Sequence, residues 1–177
     1  MKNKLIFVFI ALCFVGQTFG QKTASVRDFL KYPNADYLYD AELPKFVGTW
    51  VWQSGSDRFE IEIIKGIMPL GQQSIEVALG GVKYIKNGTV INDQIQTSYT
   101  AFNSSIYGNV EEHVNILPMR ISDRTHKTHY KGIMTLDPKN PRKAVIEFSK
   151  DTREYKFGDF KPSNIIYYPS GITLIKK

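Results

Sequence analysis

From Phe46 onward, apolar and polar side chains alternate along the chain. Phe46, Gly48, Trp50 and Trp52 fall on one set of alternate positions and Val47, Thr49, Val51 and Gln53 on the other. Because successive side chains of an extended chain point to opposite faces, this spacing predicts a strand over 45–53. Ser54-Gly55-Ser56 then offers a turn into a second alternating run, with Phe59, Ile61 and Ile63 facing one way and Arg58, Glu60 and Glu62 the other. The two runs predict a hairpin. Further strands are expected over 74–79 and 82–86, separated by Gly80-Gly81, a pair suited to a bulge or a sharp corner. Asn87-Gly88 stands between Tyr84-Ile85-Lys86 and Thr89-Val90-Ile91. Asn-Gly supplies the two positive φ angles of a type I′ turn, whose twist matches that of paired strands, and so predicts a tight hairpin.

The pattern weakens over 98–124, which contains Gly108 and Pro118 and fits a short strand or two, or a long loop over an open end. Alternation returns over 127–136, passes through the turn Asp137-Pro138-Lys139-Asn140-Pro141 and resumes over 144–149, predicting another hairpin. Residues 162–171 read as loop and 172–176 as a short closing strand. Ahead of the first strand, 21–44 is polar with scattered Phe29, Tyr32, Tyr37 and Tyr39, and Pro33 and Pro44 interrupt it. A short helical turn or a strap across the domain fits this stretch. About eight short strands joined by hairpin signals, with no helical period between them, predict an all-β fold, an antiparallel barrel with a β-sandwich as the alternative.

The first twenty residues differ from the rest. Lys2 and Lys4 precede an unbroken apolar run from Leu5 to Val15, followed by the polar close Gly16-Gln17-Thr18-Phe19-Gly20. That is the three-part layout of a secretory signal peptide, with cleavage expected after Gly20. As a helix the apolar run would rise only about 16 Å, roughly half the hydrocarbon thickness of a bilayer, which disfavours a permanent span. Cys13 raises a lipid anchor as an alternative, but Leu12 stands before it where a small residue is wanted. The expected organisation is a signal peptide at 1–20, a strap at 21–44 and a single barrel domain at 45–177, secreted or periplasmic.

Composition adds limits. The 177 residues carry 23 Lys and Arg against 17 Asp and Glu. Removing 1–20 takes Lys2 and Lys4 and no acid, leaving 157 residues with a net charge of +4. A chain of that length buries roughly 68–70% of its unfolded surface and holds together without staples. It has to, because Cys13 is the one cysteine and the mature chain forms no disulfide. That is ordinary for a bacterial envelope protein and unusual for a eukaryotic secreted domain. Acids and bases interleave, as in the run from Lys150 to Lys156, so no single-sign patch invites nucleic acid.

Leu43-Pro44-Lys45-Phe46-Val47-Gly48-Thr49-Trp50 resembles the opening of lipocalin-like (calycin) barrels, in which a short strap precedes Gly-x-Trp on the first strand. More of the chain resembles an uncharacterised family of secreted Bacteroidota proteins, a domain-of-unknown-function family. The shared features are the signal peptide, the strand from Lys45 to Trp50, the hairpin from Tyr84 to Gly88, and the approach from Pro169 to Leu174 and Lys176. The resemblance implies the fold and export, and no activity.

Candidate chemistry is sparse. Trp50 and Trp52 share a face with Phe46, and in a barrel that face is either packed core or ligand cavity. The split expected is Trp50 low in the core and Trp52 higher. A small apolar or amphipathic ligand would then be enclosed by Trp52, Phe59, Ile61, Tyr84 and Tyr130. Three histidines invite other readings. His126 and His129 would lie on opposite faces of one strand, which does not make a metal site, and His113 after Glu111 and Glu112 reads as a solvated trio. The polar-face position of Glu60 and Glu62, with Asp57 nearby, leaves solvent as their partner. No hydrolase elbow, zinc-protease motif, Walker loop or dinucleotide fingerprint occurs. No catalytic residue, metal or cofactor is therefore assigned, and no nucleic-acid partner or membrane span is expected. The alternatives to a carrier are an interaction module binding protein or glycan through Tyr-rich loops (Tyr99 to Tyr107, Tyr167-Tyr168) and, least favoured, a hydrolase built near His113 or His126.

Overall fold

The structure, a computed structural model, describes residues 22–28, 30–110, 114–151 and 165–177. The expected signal peptide with Cys13, Phe29, the Glu111-Glu112-His113 trio and most of the charged run ending at Lys156 lie outside the described residues.

Eleven strands form among the described residues. They are β1 (Thr23–Ser25), β2 (Tyr37–Tyr39), β3 (Gly48–Ser54), β4 (Asp57–Leu70), β5 (Gln73–Lys86), β6 (Thr89–Asp93), β7 (Ile106–Gly108), β8 (Ile116–Asp123), β9 (Thr128–Asp137), β10 (Asn140–Lys150) and β11 (Ile172–Lys176). Eight of them close into an antiparallel barrel in the order β5-β4-β3-β11-β10-β9-β8-β7, with β7 pairing back onto β5. The barrel of the two expected all-β architectures is the one present. The other three strands lie outside the ring: β1 runs parallel to β2, β2 parallel to β5, and β6 is the antiparallel partner of β5 beyond the Asn87-Gly88 turn. That turn has φ of 50° at Asn87 and 75° at Gly88, as its sequence predicts.

Two expectations about strand limits need correction. Gly80-Gly81 does not separate two strands, because Gln73 to Lys86 is one 14-residue strand. The glycines mark crowding instead. A Cβ on Gly80 would stand 1.8 Å from the Glu62 carbonyl oxygen and one on Gly81 2.1 Å from that of Gln94. Glu62 lies on β4, paired along one edge of β5, and Gln94 follows β6 along the other, so backbone closes in from both sides where only glycine leaves room. At the start of the barrel, Lys45 belongs to a 3-10 turn (Leu43–Lys45) rather than to the first strand, which begins at Gly48. Pro44 suits the first positions of such a turn because it brings a preset φ and no N–H to satisfy. Leu43 and Phe46 are fully buried there.

This strap closes one end of the barrel. Asp40 holds it, accepting from Glu42 N and Leu43 N through Oδ1 and from Val110 N through Oδ2. Inside, Trp50, Ile61, Ile63, Ile121, Met134 and Leu174 are all fully buried members of one apolar cluster. Each such side chain contributes about 1.5–3 kcal/mol relative to leaving it in water.

Candidate functional site

The other end of the barrel is framed by the β3–β4, β5–β6 and β8–β9 turns and crossed by residues 165–171 on their way to β11. Its rim is apolar: Trp52, Ile91, Ile166, Tyr167 and Ile172 are half-buried against the core. Trp52 pairs with Phe59 and Trp50 with Ile61, so both indoles point inward, Trp50 fully buried and Trp52 nearer the rim, as the spacing predicts.

Within this end lies an aromatic cluster centred on Tyr168. Its ring centroid is 5.2 Å from that of Tyr130, 5.5 Å from Phe148, 5.7 Å from Phe59 and 6.3 Å from Tyr84. Tilted and edge-on contacts of this kind suit the ring quadrupoles. Phe59, Ile61, Tyr84 and Tyr130 are thus brought into one buried group, and Trp52 packs against the same core from its rim.

The Tyr168 hydroxyl reaches a buried polar cluster. Its oxygen accepts from Asn92 Nδ2 at 2.5 Å, and it hydrogen-bonds to the Asp123 carboxylate. Asn92 Nδ2 also donates to Asp123 Oδ1 at 3.0 Å and to Gln94 Oε1 at 3.1 Å, while Thr125 Oγ1 donates to Asn92 Oδ1 at 3.2 Å. Asp123, with no exposed surface, further accepts the His126 backbone N–H at 3.0 Å and His126 Nδ1 at 2.8 Å. A carboxylate only accepts, so Nδ1 carries the imidazole proton. The His126 ring stacks on Tyr167 with centroids 3.6 Å apart and planes 8° from parallel. Burial, and next the Asp123 charge, push the Tyr168 and Tyr130 phenols well above their ordinary value, so both are neutral at physiological pH.

The sequence reading missed Asn92 and Asp123. Asn92 falls on the outward set of positions if pairing continues unbroken from the turn. A bulge after the Ile85–Val90 pair instead sets Asn92 opposite Tyr84 and turns it inward. Asp123 was legible: it continues the inward series Leu117, Met119, Ile121 as an acid where an apolar residue belongs.

The two histidines do not share a strand. His126 sits in the β8–β9 turn and His129 on β9, where its Nε2 lies 2.8 Å from Arg120 Nη2. No group of three metal-ligating side chains occurs among the described residues. The carboxylates expected to face only solvent have protein partners: Asp57 accepts Asn87 N, Glu60 pairs with Arg58, and Glu62 accepts the Tyr99 hydroxyl. Of the Tyr-rich loops, Tyr168 is core, and Tyr99, Tyr107 and Tyr167 are half-buried.

Fold and site define an antiparallel eight-stranded β-barrel with a buried aromatic cluster around Tyr168. Over residues 1–177 the chain matches the model described as "Family of unknown function (DUF6705)", and it belongs to that family. No curated protein and no solved structure matches it. No helix among the described residues is long and apolar enough to cross a membrane.

Proposed function

We propose that this protein is an exported, non-enzymatic barrel that binds a small amphipathic ligand at the end framed by Trp52 and Tyr167. The observation that carries the reading is the pairing of an apolar rim with an internal polar cluster. Trp52, Ile91, Ile166, Tyr167 and Ile172 offer half-exposed apolar surface, and Asn92, Asp123 and His126 sit beneath them. Binding sites combine apolar walls with a few convergent polar groups in this way. The expected lining of Trp52, Phe59, Ile61, Tyr84 and Tyr130 fits the reading, with Trp52 as the entry and the other four reached only where Tyr168 gives way. Export rests on Lys2, Lys4, the run from Leu5 to Val15 and Gly20.

Titration with a neutral fluorescent probe, N-phenyl-1-naphthylamine, tests the binding reading. One-to-one saturation with quenching of tryptophan emission, weakened in Trp52→Ala, is expected. Absence of binding at micromolar probe removes it. Mass spectrometry of envelope and culture fractions tests export, with a mature start near Gln21 expected and an intact chain confined to the cytoplasm contradicting it.

A further inference from the structure

The Tyr168 side chain fills a receptacle built by other elements. Phe59 of β4, Tyr84 of β5, Tyr130 of β9 and Phe148 of β10 surround its ring, and Asn92 of β6 and Asp123 of β8 receive its hydroxyl. The residue itself arrives on no strand. It sits in the stretch 165–171, between exposed Ile165 and exposed Ser170, with Tyr167 laid on His126 at the rim. The anchor on its far side is local: Ser170 Oγ accepts Phe148 N at 2.8 Å, and Gly171 N donates to Ile146 O at 2.9 Å.

A plain core residue has no need of this arrangement. Asp123 and Asn92 also bond His126 and Gln94, and the phenol oxygen sits where an acceptor and a donor of that buried network converge, which a Phe would leave unmet. The polar pair is matched to a phenol, with one donor and one acceptor at the position of its oxygen. The Asp123 charge also selects the neutral form, since it would repel a phenolate or a carboxylate head.

Building on the binding reading above, we propose that this receptacle is the ligand subsite, that Tyr168 occupies it in the unliganded protein, and that the ligand is a small para-substituted neutral phenol that displaces Tyr168. A resident side chain lowers apparent affinity by the fraction of time the site is filled, so loosening Tyr168 tightens ligand binding.

Calorimetric titration of the mature chain with p-cresol and with p-xylene, which has the same shape without the hydroxyl, tests this. One-to-one binding of p-cresol at least tenfold tighter than p-xylene is expected. Tyr168→Phe, which keeps the ring and drops the hydroxyl contacts, should tighten p-cresol binding at least threefold, and Asn92→Ala should weaken it at least tenfold. Should Asn92→Ala fail to fold, the Tyr168→Phe comparison decides alone. Equal affinity for the two probes, or an affinity unchanged in Tyr168→Phe, overturns the proposal. If N-phenyl-1-naphthylamine saturates the protein and p-cresol does not bind, the rim-binding reading stands and the phenol subsite falls. If neither binds, both fall.

Discussion

The Lys176 ammonium lies 5.2 Å from the centroid of the Trp50 ring and donates to the Lys45 carbonyl oxygen at 3.0 Å, tying the last strand to the strap at the closed end of the barrel. Trp50 in turn donates from Nε1 to the Phe46 carbonyl oxygen at 2.8 Å. Gly48 makes room for the lysine: its φ is +130°, and a Cβ there would stand 2.9 Å from Lys176 Cε. Trp50→Ala should therefore cost about 3–5 kcal/mol in a denaturant titration, the range for deleting a buried large aromatic. Lys176→Ala should cost about 0.5–2 kcal/mol, the range of a cation–π contact. Equal losses for the two would show that the ammonium, not the indole, organises this end.

Glycines separate two kinds of constraint. At Gly88 the added Cβ meets nothing within 4 Å, so only the backbone angle resists, and Gly88→Val should destabilise by about 1 kcal/mol or more. At Gly80 the obstacle is the backbone of β4, so Gly80→Ala must push strands apart and should cost more than Gly88→Ala despite an ordinary φ. Thermal unfolding of the two alanine variants side by side checks the order, and the reverse order would refute the crowding argument.

These contrasts show what the sequence makes visible. Asn87-Gly88 and the alternation of Phe59, Ile61 and Ile63 are local signals, and the structure places them as expected. The role of Gly80-Gly81 was hidden because it depends on the backbone of Glu62 and Gln94, residues that approach only through pairing with the strands on either side of β5. Likewise the two short parallel strands within 21–44 depend on β5 as a template distant in sequence. At the candidate site, Phe59, Tyr84 and Tyr130 are large apolar or aromatic residues on strands, and the structure places them in one buried cluster. Tyr168 was read as a loop residue because its segment has no period, and Asn92 was concealed by a one-residue bulge.

Stability should fall at alkaline pH. Burial first, and then the carboxylate each one bonds, push Tyr37 (Glu76) and Tyr99 (Glu62) up to about 12, the latter against the opposing Gln96 N–H; Tyr130 and Tyr168 are raised as well. Above the ordinary phenol value of about 10 the unfolded chain releases protons that the folded chain keeps. The stabilisation from these tyrosines is complete below about pH 10 and is lost as pH rises through about 12. Lys176, lowered by burial and next by Arg142, acts with the opposite sign but is a single group. Urea midpoints should decline between about pH 10 and 12, with a shallower decline in Tyr99→Phe. A rising midpoint over that range would contradict the buried phenols.

The Asp123–Tyr168 contact should be coupled rather than additive. Asp123 has no exposed surface and gathers hydrogen bonds from Asn92, His126 and Tyr168, so Asp123→Ala strands several donors at once. Each buried group left without a partner costs about 1–3 kcal/mol, which makes this variant among the most damaging polar substitutions available. Tyr168→Phe removes one donor and keeps the four ring contacts, so its own loss should be near 1 kcal/mol. If the carboxylate serves the phenol, Tyr168→Phe should cost less in the Asp123→Asn background than in the wild type, with a coupling energy of about 0.5–3 kcal/mol. Denaturant titrations of the two single variants and the double variant measure it. Strict additivity would mean that Asp123 is held in place by His126 and Asn92 alone, and that the Tyr168 hydroxyl is a passenger at the site.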